Sequence, residues 1–196
     1  MIDAIYRFDY AILDYIAEHW RCGFLDAVMP VITHFAKAGI GWIIVALILL
    51  CFKQTRKTGL MCAVALTTGL ILCNFGLKPL VARIRPYENL ARHASMLEQL
   101  LVPPEKDFSF PSGHTIASFE VATVLMLRDR KRFGWAALAL AVLISFSRLY
   151  LYIHYPTDVF AAVILGIAIG FFAVWVVNAV DKRIRARRAL TFPDAE

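Results

Sequence analysis

The sequence predicts an all-α protein, a polytopic membrane helical bundle of five to six transmembrane helices with an amphipathic N-terminal helix. Three observations predict this class. Hydrophobic residues make up 60% of the 196 residues and the mean hydropathy is +0.63, whereas soluble domains are about 45–50% apolar. The apolar residues gather in runs long enough to cross a bilayer, and clusters of basic residues flank these runs. We therefore expect residues 1–196 to form a single integral-membrane domain.

The predicted helices begin with the N-terminal segment, residues 1–38. Apolar residues recur at helical spacing from Ile2 to Ala17 with charges between them, which is typical of an amphipathic helix at a membrane surface. The piece Phe24–Phe35 is short and interrupted by Pro30, so the sequence leaves open whether it crosses the bilayer or only dips into it. A crossing needs about 20 mostly apolar residues. Five further runs satisfy this length alone or with their flanking residues: Ile40–Phe52, Thr58–Leu77, Ser112–Leu127, Phe133–Tyr152 and Thr157–Val180.

The basic residues predict the orientation of the helices. The net charge is +6, and more than half of the basic residues lie in three clusters beside apolar runs. Cytoplasmic loops of membrane proteins carry an excess of Lys and Arg, so we expect all three clusters in the cytoplasm, the last within the tail 181–196. A basic surface for nucleic acid would not be divided in this way, so no nucleic-acid partner is expected. The clusters are Lys53, Arg56 and Lys57; Arg128, Arg130, Lys131 and Arg132; and Lys182, Arg183, Arg185, Arg187 and Arg188.

Three polar stretches between residues 78 and 158 fall on the opposite face of the membrane in this orientation. Each of them borders a predicted span, where a ligand at the headgroup level can be reached. The stretches are KPLVARIRP from Lys78 to Pro86, PSGH from Pro111 to His114, and SRLYLYIHYPTD from Ser147 to Asp158.

Cations dominate the first and third stretches. Lys78, Arg85 and Arg148 lie at the ends of predicted spans without a nearby acidic residue in the sequence for each. Three such charges repel one another unless a compact anion lies between them, and both guanidinium and ammonium groups suit phosphate. The alternative is that they are anchors that reach the lipid headgroups, and we prefer that interpretation for Arg83.

The second stretch is typical of a helix start that binds an anion. Ser112 is a favourable N-cap residue, and the free N–H groups of the first turn attract negative charge. Gly113 allows the backbone to approach a ligand closely. The alternative is an ordinary helix N-cap followed by a surface histidine, His114.

The third stretch pairs His154 with Asp158, four residues later and separated by Pro156, which suits the first turn of the last helix. The carboxylate can accept a hydrogen bond from one ring nitrogen, which leaves the other as a nucleophile. The alternative is a structural pair that caps the helix. His114 has no such partner nearby and can protonate a leaving oxygen. The cations then stabilise a transferring phosphoryl group, and no metal or cofactor is expected because the sequence has no carboxylate cluster to hold one.

The three stretches resemble the signature of the type 2 phosphatidic acid phosphatase family, which reads K-x6-R-P, P-S-G-H and S-R-x5-H-x3-D. Every position matches and the order is the same. The resemblance implies that His154 forms a phosphohistidine, Asp158 orients and activates it, and His114 protonates the leaving group. It also implies a metal-independent reaction in which the phosphate is held by Lys78, Arg85, Ser112, Gly113 and Arg148.

The resemblance further implies a lipid phosphatase of the plasma membrane with its active site on the extracytoplasmic side. The expected substrate is a lipid diphosphate or phosphomonoester, with undecaprenyl diphosphate, converted to undecaprenyl phosphate, as the first choice. Phosphatidylglycerol phosphate or phosphatidic acid is the alternative, because the catalytic motifs do not encode this choice. A membrane permease is the hypothesis from a different class, since several spans with intramembrane charges also suit one.

Two polar features outside the motifs lead to weaker expectations. Glu120 lies six residues after His114, so we expect it on a different face of the helix and in a structural role. In the loop Tyr87–Phe110 we expect His93 to be solvated rather than catalytic. The apolar residues of that loop predict a short amphipathic helix over the site or on the bilayer: Met96, Leu97, Leu100 and Leu101.

Overall fold

A computed structural model describes residues 2–89, 100–129 and 133–191 of the chain, and every regular element in these ranges is helical. The predicted all-α class is thus confirmed for the described part. The helices are α1 Ile2–His19, α2 Gly23–Phe35, α3 Ile40–Cys51, α4 Arg56–Leu70, α5 Lys78–Val81, α6 Gly113–Arg128, α7 Trp135–Tyr150 and α8 Pro156–Thr191. A π-helical segment, Ile71–Leu77, joins α4 to α5. The expectations for His93, Met96, Leu97 and the basic residues 130–132 concern residues outside the described ranges.

Helix α6 lies at the centre of the bundle and packs against α4, α7 and α8. Its contact with α8 is close because α8 presents two glycines four residues apart. A Cβ atom on Gly170 would lie 2.6 Å from Cβ of Thr123, and one on Gly166 would lie 2.9 Å from the carbonyl oxygen of Ile116. Small residues at this spacing let membrane helices approach each other closely. The position of α6 matters for the site, since its N-terminus carries the second motif.

Judged by length and composition, fewer of the described helices can cross a membrane than the sequence predicts. Among the described residues, Arg56–Glu88 and Pro156–Arg187 are long and apolar enough to cross a membrane. A third crossing results if α2 and α3, which meet at a 43° bend, count as one. Helix α7 is apolar but only 16 residues long. The predicted count of five to six is therefore not confirmed, although each predicted run coincides with a helix. Helix α8 continues past the predicted end at Val180 as far as Thr191.

The two ends of the bundle differ in charge and in chemistry. Nζ of Lys57 lies 2.6 Å from Oδ2 of Asp181, so the first and last basic clusters meet at one end. Helix α8 begins at Pro156, within the third motif. Since a helix rises 1.5 Å per residue, Asp181 lies about 37 Å along α8 from that point. The polar motifs thus lie at the end opposite to the described residues of the first and last basic clusters, as the sequence predicts.

The N-terminal hairpin formed by α1 and α2 packs against the motif end of the bundle. The predicted amphipathic helix α1 has one buried face, which contains Leu13 and Ile16 but also the carboxylate of Asp9. Two hydrogen bonds of 2.7 Å fasten the hairpin to the chain around the third motif. In these bonds Tyr152 donates to Asp14, and Tyr150 donates to Asp26. The hairpin therefore supports the segment that carries His154.

Candidate active site

The segment Leu151–Tyr155 reverses the chain between α7 and α8 and carries His154. Tyr152 adopts a left-handed conformation with φ of 61°, which non-glycine residues reach only at a cost. The backbone N–H groups of Ile153 and His154 both donate to the carbonyl oxygen of Arg148, at 3.2 and 3.4 Å. This tight turn brings His154, which is 1% exposed, against the start of α8.

The relation between His154 and Asp158 differs in one respect from the prediction. Nδ1 of His154 lies 3.7 Å from Oδ2 of Asp158, which is too long for the direct hydrogen bond we expected. The reason is that this oxygen already accepts hydrogen bonds from the hydroxyl of Ser109 at 2.5 Å and from the N–H of Tyr155 at 3.1 Å. Oγ of Ser109 lies 3.4 Å from Nδ1. Nδ1 therefore faces Ser109 and Asp158, while Nε2 lies 3.2 Å from Nη1 of Arg85.

The surroundings of His154 favour its neutral form. Burial lowers the pKa of the imidazole well below its usual range, and the positive charges of Arg85 and Arg148 lower it further. The imidazole of His154 is therefore uncharged at neutral pH. A neutral imidazole has a free lone pair, which is the form that a nucleophile requires.

The three motif cations are all paired in this structure, which corrects the expectation that they lack acidic partners. Nη2 of Arg85 lies 2.6 Å from Oδ1 of Asp107 and 2.5 Å from Oε2 of Glu105. Lys78 also pairs with Asp107, and Arg148 with Glu105. We call the residues Pro103–Asp107 the acidic strap. These pairs could not be predicted from the sequence, because Asp107 follows Arg85 by 22 residues and only the folded strap brings the two together.

The strap carboxylates remain ionised. Burial raises the pKa of Asp107, but the hydrogen bond and charge of Lys78 and the charge of Arg85 outweigh it and hold the pKa at about 2. Burial likewise raises the pKa of Glu105, and the charges of Arg148 and Arg85 outweigh it, so the pKa lies below its usual value. The cation cluster thus holds two anionic groups where the sequence predicts a phosphate.

Further hydrogen bonds fix the planes of the two guanidinium groups. Nη1 of Arg85 donates to the carbonyl oxygen of Ile153 at 2.8 Å, and Nε donates to that of Asp107 at 2.9 Å. Nη1 of Arg148 donates to Oγ1 of Thr33 on α2 at 2.7 Å. Both arginine side chains are almost fully buried. Each guanidinium is therefore oriented before any ligand arrives.

A cavity of about 540 Å³ opens beside these groups. Five predicted site residues line it: Lys78, Gly113, His114, Arg148 and His154. The other three, Arg85, Ser112 and Asp158, are 0% exposed and do not line it. The strap lines one side of the cavity, and apolar residues line another: Ile43, Leu66, Leu70, Ile116 and Ala117. The cavity therefore joins a charged part to an apolar part.

The second motif forms the helix start that the sequence predicts. Ser112 is the N-cap residue of α6, but its hydroxyl makes no capping hydrogen bond and instead accepts one from Thr115 at 3.1 Å. The first-turn N–H groups are thus left without a side-chain cap. A Cβ atom on Gly113 would come no closer than 3.7 Å to a neighbour, the sulfur of Cys73. This end of α6 is therefore open enough to receive an anion.

Glu120, which we expected on a different face of the helix from His114 and in a structural role, also lines this cavity. The cavity extends along α6 past Ile116 and Ala117, so it contacts both His114 and Glu120. The side chain of Glu120 is 1% exposed, and its Oε2 atom has no hydrogen-bond partner among the described residues.

Arg83 is the residue that the sequence interpretation placed wrongly. It is not a lipid anchor, because its side chain is only 10% exposed and it bridges two buried carboxylates, Asp9 and Asp158. The sequence interpretation also missed Ser109 and the two strap acids. Their position just before the second motif could have indicated that they lie near the site, whereas nothing in the sequence connects Asp9 to Arg83.

The chain is similar to known proteins in both sequence and structure. The model of the PAP2 superfamily matches residues 58–182, which include all three motifs. The undecaprenyl-diphosphatase of Sulfolobus acidocaldarius is 32% identical over 152 residues, 78% of this chain and 70% of that protein. Undecaprenyl-diphosphatase BcrC of Bacillus subtilis is 31% identical over 147 residues, 75% of this chain and 72% of that protein. The crystal structure of a transmembrane PAP2-type phosphatidylglycerolphosphate phosphatase from Bacillus subtilis superposes with a TM-score of 0.68 at 28% identity, covering 92% of this chain and 88% of that one.

Proposed function

Because the chain belongs to the PAP2 superfamily, we propose that this membrane lipid phosphatase converts undecaprenyl diphosphate to undecaprenyl phosphate on the extracytoplasmic side of the plasma membrane. One observation supports the chemistry above all. The buried neutral imidazole of His154 lies against Arg85, beside a cavity that Lys78 and Arg148 also line. The proposed side follows from the basic clusters at the opposite end of the bundle.

The geometry of His154 supports Nε2 as the attacking atom. Nδ1 faces Ser109 and Asp158, so Nε2 attacks the terminal phosphorus. The N–P bond forms as the P–O bond to the lipid phosphate breaks, and His114, which takes up a proton when the anionic substrate binds, gives that proton to the leaving oxygen. Water then attacks the phosphohistidine, the N–P bond breaks, and His114 takes up a proton from the water.

The cations stabilise the charge of the transferring group without a metal. Lys78 and Arg148 reach the cavity, and Arg85 reaches Nε2 of His154. Such fixed donors stabilise charge that develops on phosphoryl oxygens. The N–H groups at Gly113 add a further anion site at the start of α6. In the proposed reaction the phosphate replaces the strap carboxylates as the partner of these cations.

The apolar part of the cavity supports a lipid as substrate. An isoprenoid or acyl chain would lie against the lining from α3, α4 and α6 while its phosphate contacts the cations. Two relatives named undecaprenyl-diphosphatase favour the isoprenoid diphosphate. The structural relative named for phosphatidylglycerolphosphate keeps that lipid, with phosphatidic acid, as the alternative.

The test is phosphate release by the full chain in detergent, with excess chelator, from undecaprenyl diphosphate, phosphatidylglycerol phosphate and phosphatidic acid. We expect chelator-resistant release, fastest with undecaprenyl diphosphate. His154→Ala should abolish it, and the exposed His19→Ala should not. Release that persists in His154→Ala would refute the catalytic assignment, and faster release from phosphatidylglycerol phosphate would select the alternative substrate.

A second measurement separates hydrolysis from transport. Acid-labile, base-stable labelling of the protein by substrate labelled at its terminal phosphate should be seen in the wild type and be absent in His154→Ala. Reconstituted vesicles that move substrate equally well with either protein, and that release no phosphate, would instead support a permease.

A further inference from the structure

We propose that Arg83 and Asp9 are positioning residues of the reaction. Arg83 keeps Asp158 charged, and the two residues together keep it oriented behind His154, so that helix α1 belongs to the catalytic apparatus. The inference rests on the proposed function, since it concerns the group that activates the nucleophile. Asp9 lies outside the segment 58–182 that matches the family model. The contribution of α1 is therefore a property of this chain that the family match does not include.

Arg83 divides its guanidinium between the two carboxylates. Nη1 donates to Oδ1 of Asp158 at 2.5 Å and to Oγ1 of Thr157 at 2.8 Å, and Nη2 donates to Oδ2 of Asp9 at 2.6 Å. Both carboxylates are 0% exposed. A planar guanidinium that donates on two sides fixes the orientation of both partners. The other oxygen of Asp158, Oδ2, is then directed to Ser109 and the His154 ring.

Asp9 fastens α1 to the start of α8. Its Oδ1 atom accepts from the N–H of Thr157 at 2.9 Å, and its Oδ2 atom accepts from the hydroxyl of Thr157 at 2.7 Å. A carboxylate at a helix N-terminus also interacts favourably with the helix dipole. Because Thr157 precedes Asp158 directly, Asp9 locates the backbone from which Asp158 projects.

Two tyrosine rings enclose the guanidinium. The Cζ atom of Arg83 lies 3.9 Å from the ring centroid of Tyr155 and 4.8 Å from that of Tyr6. Cation–π contacts of this kind hold a guanidinium in place and exclude water from it. Arg83 is not among the residues that line the cavity. Its effect on the reaction therefore passes through Asp158 rather than through contact with the substrate.

The charge of Asp158 depends on this arrangement. A buried carboxylate without a counter-ion takes up a proton, because burial penalises the charged form. Arg83 supplies the counter-ion, while the second carboxylate, Asp9, disfavours the charge on Asp158. The charged and titratable groups that face this cluster are Tyr6, Asp9 and Tyr10 from α1, Arg83 from the segment after α5, and His154 and Tyr155 from the segment before α8.

The experiment is the pH profile of kcat/KM for the full-length enzyme and three variants. Arg83→Gln should lower kcat by about a hundredfold or more, leave KM within about threefold, and move the acid limb up by about one pH unit or more. Arg83→Lys should restore the position of the acid limb but not the full kcat. Asp9→Asn removes a negative charge beside Asp158, so it should move the acid limb to lower pH. A structural role alone predicts no such opposite shifts.

The control is Asp181→Asn, which removes an ion pair with Lys57 at the far end of α8. It should leave the acid limb where it is. Wild-type kinetics in Arg83→Gln, or unshifted acid limbs in both Arg83→Gln and Asp9→Asn, would overturn the inference. The proposed function would survive that result provided that His154→Ala and Asp158→Asn are inactive, whereas full activity of those two variants would overturn the function itself.

Discussion

Replacing Glu105 with Gln should destabilise the free enzyme and make its stability depend on phosphate. The carboxylate of Glu105 pairs with two arginines that are almost fully buried, Arg85 and Arg148. The amide of Gln keeps the shape of the side chain but removes its charge. The two guanidinium groups then have less negative charge beside them, until an oxyanion enters the cavity.

The expected loss of stability depends on how exposed Glu105 is and on which partners the two arginines keep. Removing one member of a buried ion pair costs about 3–5 kcal/mol. Glu105 is 29% exposed, and Asp107 still pairs with Arg85, so the cost falls mainly on Arg148. We therefore expect about 2–3 kcal/mol, which for a chain of this length lowers Tm by roughly 4–12 °C. Phosphate at about 100 times its Kd contributes about 2.7 kcal/mol and should offset this loss.

The assay is thermal unfolding in detergent with and without inorganic phosphate, with the exposed Glu18→Gln as the matched control. Because the pKa of Glu105 is lowered in the folded state, its contribution should be present above its unfolded pKa of about 4.3 and be lost as the pH falls below it. Phosphate should raise the Tm of Glu105→Gln more than that of the wild type. An equal or smaller rise would mean that phosphate and the Glu105 carboxylate do not compete for the same cations, and it would refute the reasoning.

Three further changes have expected outcomes. Gly170→Ala should cost about 1–3 kcal/mol by overpacking the α6–α8 contact, whereas Gly76→Ala, whose nearest neighbours lie 4.0 Å away, should be nearly neutral in the same unfolding assay. Ser118→Ala leaves the buried indole N–H of Trp42 without its 2.9 Å acceptor. The free energy of unfolding should therefore fall by about 1–3 kcal/mol, with a lower Tm, and an unchanged Tm would show that the bond contributes nothing. Because the pKa of His154 is lowered, kcat/KM should stay on its plateau as the pH falls through about 6.5, and an acid limb at or above that value would contradict a neutral buried imidazole.

The helices of the bundle could be predicted from the sequence because each depends on a local pattern. The apolar runs at 112–127 and 133–152 coincide with α6 and α7, and Pro156 begins α8. The three motifs were also recognisable, since each is a short contiguous stretch with a fixed spacing. The cavity brings five of the eight predicted site residues together, and the other three are fully buried.

The partners of the motif residues could not be predicted in the same way. The bond from Arg83 to Asp9 joins residues 74 positions apart, and that from Arg148 to Glu105 joins residues 43 apart. No periodicity connects such pairs, and the charges of α1 are equally typical of a solvated face. The predicted number of crossings is not confirmed, because apolar runs in the sequence do not reveal a bend such as the 43° between α2 and α3.

The hydrogen bonds between the N-terminal hairpin and the third motif have a consequence for biosynthesis. The carboxylate of Asp9 leaves the ribosome 148 residues before Thr157, the residue whose N–H it accepts. At about 5–20 residues per second, roughly 7–30 s separate the synthesis of the two partners. Throughout that interval α1 has no completed binding site, so a chain that terminates before α8 should be translated and inserted yet remain inactive. Hydrolytic activity would thus appear only after the last helix has been made, and an incomplete chain could not act on lipids in the membrane.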